Sequence, residues 1–325
     1  MASIFSSLSP ETVAAAEAVS TVRDADVILF NAAITRRNQV RFFKLLESRR
    51  RKPKAFLILF TEGGDADAAY KISRLLQQWY EQFTCFLPGY CKSAGTIVLM
   101  GANEIVINDD GEMGPVDIQM AKKDELAEYQ SGLTVLTALT ALHDKAYLAW
   151  EKFFLSLEER FEGSITLKTA AHISSELTTG LFSPIYSQID PLQLGEAVRA
   201  MSIGTEYGKR LNMVGKNLRP NALEELVANY PDHGFVIDRV EAQKLFYRVF
   251  QATEPEQKLF KALTAFCDLT VGRKSPQIDY ISKELIVPTG DNNDGTSGQA
   301  EQPTPRLGTE AAPTYAGGII PPNGH

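Results

Sequence analysis

At 325 residues, 44% of them apolar, the chain is long enough to bury one substantial core with a helical appendage. Its formal net charge of −7 favours neither nucleic acid nor an anionic membrane and points to a soluble partner or substrate. No run approaches the roughly twenty apolar residues that span a bilayer, and Glu11 and Glu17 break any secretion-signal pattern, so no membrane insertion is expected and the predicted location is the cytoplasm.

Residues 1–25 read as an N-terminal helical segment ahead of a main domain over 26–287. Residues 26–33 (DVILFNAA) form a buried strand, and 35–50 a helix with Val40, Phe42, Phe43, Leu45 and Leu46 among basic residues. After Pro53, residues 55–60 give a second strand ending in Thr61-Glu62-Gly63-Gly64. Asp65 or Asp67 then caps a helix through Ile72, Leu75, Leu76 and Trp79. Residues 83–87 are a third strand, 93–100 a helix, and 104–107 a fourth strand closed by the Asn108-Asp109-Asp110-Gly111 turn. Alternating strand and helix predict a largely parallel sheet with right-handed crossovers. A long helical stretch over about 122–161, followed by helices over 167–177, 195–214 and 223–229, forms an inserted arm (about 122–230). A short strand over 235–237 and a helix from Val240 onward return to the domain. After residue 287 the composition turns to Gly, Asn, Thr and Pro, so 288–325 is expected to be a disordered tail.

Two motifs carry the chemistry. Gly63 and Gly64, at the end of a buried strand, let backbone N–H groups approach a reacting carbonyl closely. Lys92-Ser93-Ala94-Gly95-Thr96 places a serine between small residues at the next strand-to-helix junction, where it is exposed for attack. Lys92, directly before it, is expected to face the opposite side. The three cysteines, Cys85, Cys91 and Cys267, have no metal-ligand spacing, and their odd number argues against a disulfide framework. Cys91 reads as a small buried residue rather than a nucleophile.

The order of a strand ending in TEGGD, a CKSAGT helix, a further strand and Gly114-Pro115-Val116-Asp117 resembles the Clp peptidase and crotonase superfamily. Within it the closest likeness is to the serine dehydrogenase proteinase family, related to signal peptide peptidases of the SppA type. The match runs over 26–119 and returns at Tyr230-Pro231-Asp232-His233-Gly234-Phe235-Val236-Ile237. The resemblance implies a Clp peptidase/crotonase-like α/β fold with a mostly parallel sheet and an inserted helical arm. It also implies Ser93 as nucleophile and Gly63, Gly64 and Ala94 as the oxyanion hole.

A serine hydroxyl needs a base, and the chain has four histidines. His325 ends the tail, His143 lies in the arm and His172 in a helix rich in Ala and Ser. His233 stands in a loop just before a strand, where the family also places a catalytic residue. The third member should be a carboxylate that orients the imidazole. The resemblance implies a Ser-Asp-His order in which Asp117 takes that role. Asp190, before Pro191, is the alternative, and Asp232 is expected to point elsewhere. Signal peptide peptidases use lysine as base, which leaves a Ser93–Lys145 dyad as a second design.

The expected function is a serine hydrolase, a cytosolic peptidase that needs no metal or organic cofactor, acts on a peptide or protein substrate and assembles as a homo-oligomer. With no phosphate-binding loop, any energy-dependent unfolding falls to an unfoldase partner. Two alternatives stay open: an acyl-coenzyme A enzyme of the crotonase type, and a non-catalytic relative that binds peptides or a membrane-protease partner. Trp79, Tyr90 and Tyr129 are nominal candidates for lining a substrate pocket.

Overall fold

The computed structural model describes residues 9–116, 119–121, 129–232, 234–266 and 276–281. Helix α1 (Pro10–Arg23) starts behind Ser9, whose hydroxyl accepts from the Thr12 N–H, and leads into strand β1 (Ala25–Asn31). Helix α2 (Arg36–Arg49) is capped by Thr35, and β2 (Lys54–Phe60) follows. Asp65 caps α3 (Ala66–Trp79), its carboxylate accepting from the Ala68 N–H. Each such cap contributes about 1 kcal/mol and fixes where the helix begins. Next come β3 (Gln82–Leu87), β4 (Tyr90–Cys91), α4 (Ala94–Met100), β5 (Glu104–Ile107) and β6 (Glu112–Met113).

Beyond them lie β7 (Gln119–Ala121), β8 (Tyr129–Ser131), α5 (Gly132–Phe161), α6 (Leu167–Tyr186) and α7 (Pro191–Gly215). The chain then forms α8 (Ala222–Glu224), a π-turn (Glu225–Asn229), α9 (Arg239–Leu245), β9 (Val249–Gln251), α10 (Glu254–Phe266) and β10 (Gln277–Tyr280).

The main sheet has the order β10-β1-β2-β3-β5-β9. All its pairings are parallel except β10 against β1. The α/β class with a mostly parallel sheet is therefore the one expected from the alternation of elements. Every residue of β1 is buried, because helices cover both faces, and this is why residues 27–30 are a continuous apolar run. The two-residue period of the strands divides the core into two layers. Ile28, Phe30, Leu57 and Leu59 pack with Phe42 and Leu46 of α2 and Ile72 and Leu76 of α3. Val27, Leu29, Phe56 and Ile58 pack with Ala16 and Val19 of α1 and Leu259 and Leu263 of α10.

The arm is α5, α6 and α7, and α7 joins it to the body. Gln77 on α3 donates from Nε2 to the carbonyls of Gly101 (3.0 Å) and Leu211 (2.9 Å), tying α3, the end of α4 and α7 together. The Tyr207 hydroxyl donates to Asp67 at 2.6 Å, and its ring stacks on Tyr70 with centroids 4.3 Å apart.

Several boundaries depart from expectation. The arm's first helix begins at Gly132 rather than near Lys122, because β7 and β8 pair antiparallel ahead of it. Strands of three residues are too short to show a period in sequence. Helix α6 continues to Tyr186, past the end expected at Leu177, and carries Pro184 in its last turn. The strand expected over 235–237 is a single bridge between Ile237 and Met113, since Asp232 turns the chain before it and Asp238 caps α9 just after it. The single helix expected from Val240 is divided into α9, β9 and α10, and the antiparallel edge β10 was not foreseen. The tail expected to be disordered lies outside the described residues.

Candidate active site

Ser93 sits between β4 and α4 with φ 52° and ψ −115°, a conformation that side-chain-bearing residues rarely adopt and that costs about 1–3 kcal/mol. Its surroundings hold it there. Thr61, just past β2, donates its N–H to Tyr90 O and accepts from the Lys92 N–H, both at 3.0 Å, so the glycine turn and the serine turn are laced together. On the other side the Gly63 carbonyl accepts from Ile34 N–H (2.7 Å), and Asp65 N–H donates to Ile34 O (2.8 Å).

The two glycines are sterically required. A Cβ on Gly63 (φ 104°) would lie 2.7 Å from Ser93 Cβ, and one on Gly64 (φ 133°) would lie 2.2 Å from the Ile34 carbonyl oxygen. Gly63 therefore abuts the serine, as a turn facing it must. Its own N–H donates to Thr61 Oγ1 at 3.1 Å. Among the described residues, none accepts from the N–H of Gly64 or Ala94.

Residues 112–116 run alongside the serine turn. β4 and β6 pair in parallel, Gly114 N–H donates to Cys91 O (3.0 Å), and Thr96 Oγ1 donates to Gly114 O (2.6 Å). Val116 N–H then reaches Leu226 O at 2.8 Å. Met113 and Ile237 exchange backbone hydrogen bonds, which brings residues 234–237 to the same place.

Lys92 is 1% exposed. Its ammonium lies 2.9 Å from Glu112 Oε1 and donates to Phe235 O (3.1 Å) and Gly234 O (3.3 Å), with Met113 O at 3.5 Å. It also sits 5.3 Å from the centre of the Tyr90 ring. Sequence reasoning gave Lys92 no role. The signal was its neighbours: a lysine set among Cys91, Ala94 and a wholly buried helix has little room to reach water.

Asp117 and His233 lie outside the described residues. Their neighbours Val116 and Gly234 belong to the two segments that converge on the serine turn. The Asp232 carboxylate accepts from Gly234 N–H at 2.8 Å, a local turn contact. Asp190 caps α7 by accepting from Leu192 N–H. Lys145 is exposed on α5, whereas burial is what equips a lysine as a base. His143 stacks on Tyr186, and His172 is exposed beside Glu176. Cys91 is fully buried, which pushes its thiol pKa well up against the smaller opposing effect of the Lys92 charge and keeps it a poor nucleophile. Trp79 packs against Phe43 and Arg50 at the far end of α3, and Tyr90 is half-buried under Lys92.

A mostly parallel α/β sheet with a serine on a strained turn, faced by a glycine turn, and with the N–H groups of Gly64 and Ala94 without an acceptor among the described residues, is an arrangement suited to acyl transfer. Residues 38–131 match the family described as ClpP-like SDH-type serine proteinases, the family that the motifs resemble. The chain is also 30% identical over 137 residues to an uncharacterized protein of Methanocaldococcus jannaschii, covering 40% of this chain and 46% of that one. A second uncharacterized protein of the same organism is 32% identical over 66 residues, covering 20% and 23%. The chain thus spans less than half the length of these curated relatives. Among solved structures, a serine-to-alanine mutant of the 1510-N membrane-bound stomatin-specific protease is 17% identical, with a TM-score of 0.27 over 45% of this chain and 66% of that one. A lysine-to-alanine mutant of that protease in complex with a substrate peptide gives 17% and 0.28 over 45% and 63%.

Proposed function

We propose that the chain is a serine peptidase acting through an acyl-enzyme on Ser93. The observation that carries this reading is the strained Ser93 turn packed against Gly63, with the N–H groups of Gly64 and Ala94 having no acceptor among the described residues. In the proposed reaction His233 takes the hydroxyl proton as Ser93 Oγ attacks a peptide carbonyl, and Asp117 stabilises the imidazolium. The oxyanion binds the Gly64 and Ala94 N–H groups, while Gly63 shapes the turn that presents them. The amine leaves with the proton from His233, and water then releases the acyl group by the same route in reverse. Each oxyanion donor in such a site is worth about 10²–10³ in kcat.

The substrate class is a peptide or protein segment, and the exposed apolar side chains of the arm, among them Leu155, Leu181 and Leu192, suit association with further copies. No described helix is long and apolar enough to cross a membrane, and a cytoplasmic site of action is part of the proposal.

A fluorophosphonate probe tests the reading. Labelling lost in Ser93→Ala and retained in Cys91→Ala is expected. Absence of labelling in the intact protein at any pH would sink the peptidase reading and favour a peptide-binding relative. Loss with Lys145→Ala but not His233→Ala would replace the triad by the dyad.

A further inference from the structure

A buried ammonium is costly unless acceptors surround it, and the position of those acceptors shows what the charge holds. Those of Lys92 come from two separate segments. Glu112, 24% exposed in its side chain, and Met113 O belong to the segment that runs on to Asp117. The carbonyls of Gly234 and Phe235 belong to the loop that follows His233. An ammonium has three donors, and here they are spread over both segments.

Among the described residues, the loop is anchored at its end by Ile237, which is buried in the core. Its other described ties are the Asp232 turn, the Met113–Ile237 bridge and the Tyr230–Phe235 ring contact. An apolar side chain of similar length would fill the same space without the desolvation cost, so packing alone does not call for a charge. The lysine is also the residue that immediately precedes Ser93, so whatever its ammonium grips is held in fixed relation to the serine turn.

We infer that Lys92, with Glu112 as its counter-ion, is a positioning residue that clamps residues 234–235, which follow the proposed base in sequence, onto the Ser93 turn. Its consequence for catalysis rests on the peptidase reading above; the clamp itself does not. The same charge draws in residues 112–113, so one side chain sets the approach of both segments that carry the proposed base and carboxylate. Misplacing a catalytic group by about 1 Å can cost on the order of a hundredfold in rate, so a clamp of this kind matters without touching substrate.

The test uses the full chain with Lys92→Met, a near-isosteric change that removes the charge. Hydrogen exchange is expected to accelerate about tenfold in peptides covering 230–237 while β1, β2 and β3 keep their protection. With the fluorophosphonate probe, the maximal inactivation rate should fall about 10–100-fold at an unchanged half-saturating probe concentration, a split that general destabilisation does not produce. Unchanged exchange in 230–237, or an unchanged maximal rate in a protein that does label, overturns the inference. If the wild-type protein does not label, the peptidase reading fails and exchange alone decides the clamp. Should Lys92→Met not fold, Glu112→Gln leaves the amine in place without its counter-ion. Faster exchange confined to the same segment then supports the clamp, and unchanged exchange overturns it.

Discussion

Replacing Ser93 by alanine and by glycine isolates the backbone strain at the turn, because neither variant can be acylated. At φ 52° and ψ −115° a residue with a Cβ is strained by about 1–3 kcal/mol, and glycine is not. Against this, glycine loses about 0.5–1 kcal/mol more chain entropy on folding and forgoes the burial of one methyl group, worth about 0.8 kcal/mol. Ser93 is 5% exposed, so the full methyl value applies. At an ordinary helical or extended position only the two losses act, and glycine is less stable than alanine by about 1.5 kcal/mol. Here strain relief offsets them, so Ser93→Gly should match Ser93→Ala to within about 0.5 kcal/mol or exceed it. Urea unfolding of the two variants, compared at equal m values, measures the difference through the midpoints. A glycine variant less stable by the ordinary 1.5 kcal/mol or so would refute the strained turn, and with it the observation that supports Ser93 as nucleophile.

Gly64→Ala should destabilise by about 2–4 kcal/mol, because its Cβ would meet the Ile34 carbonyl at 2.2 Å as well as straining φ 133°. Gly163→Ala, at φ 82° with open space around it, should lose only about 1 kcal/mol, and equal losses in the two variants would contradict the steric argument. Cys91, buried with its thiol pKa raised, should resist iodoacetamide in the native protein near pH 8 and react only after unfolding; rapid native alkylation, read by peptide mass, would contradict its placement. Tyr80 has its pKa raised first by burial, then by Tyr280 and Asp26, and burial likewise raises that of Tyr280. Above about pH 10 the unfolded chain therefore releases phenolic protons that the native state keeps, so ν_U − ν_N is negative and stability falls as pH rises. Tyr80→Phe should flatten that decline by up to about 1.4 kcal/mol per pH unit, measured by urea midpoints at alkaline pH, and an unchanged slope would count against the buried pair.

What the sequence made legible was whatever burial and turn chemistry impose over short stretches. Residues 27–30 and 55–60 could be read as strands because both faces are covered and every position is apolar. Asp65 marked its helix because a cap is a local hydrogen bond, of the kind Thr35 also makes at the start of α2. Gly63, Gly64 and Ser93 stood out for the same reason: two glycines ending a strand and a serine among small residues are unusual in composition, and both turn out to sit at positive φ. β10 was not legible, since Gln277-Ile278-Asp279-Tyr280 pairs with β1 through long-range contacts that pattern cannot register. Asp279 and Gln277 look like loop residues until Arg49 and Asn31 are placed against them.

The two lysines Lys92 and Lys145 show where a sequence argument stops. Lys145 drew attention because signal peptide peptidases have a lysine base on a later helix, and most helix lysines are solvated; Lys92 drew none because it adjoins the nucleophile. Folding reverses their standing, with Lys145 in solvent and Lys92 buried. A charge cannot be read as buried from its own residue type, because lysine is the same letter in water and in a core. Apolar neighbours hint at its burial, but what it holds becomes legible only when its acceptors are known, and those of Lys92 are backbone carbonyls at Gly234, Phe235 and Met113 plus one carboxylate, Glu112. Backbone carbonyls carry no sequence signature at all. A clamp built on them can preserve its geometry through almost any change of side chain at 234 or 235, so its functional mark has to be sought at position 92 and its counter-ion, where loss of charge changes what the loop can hold.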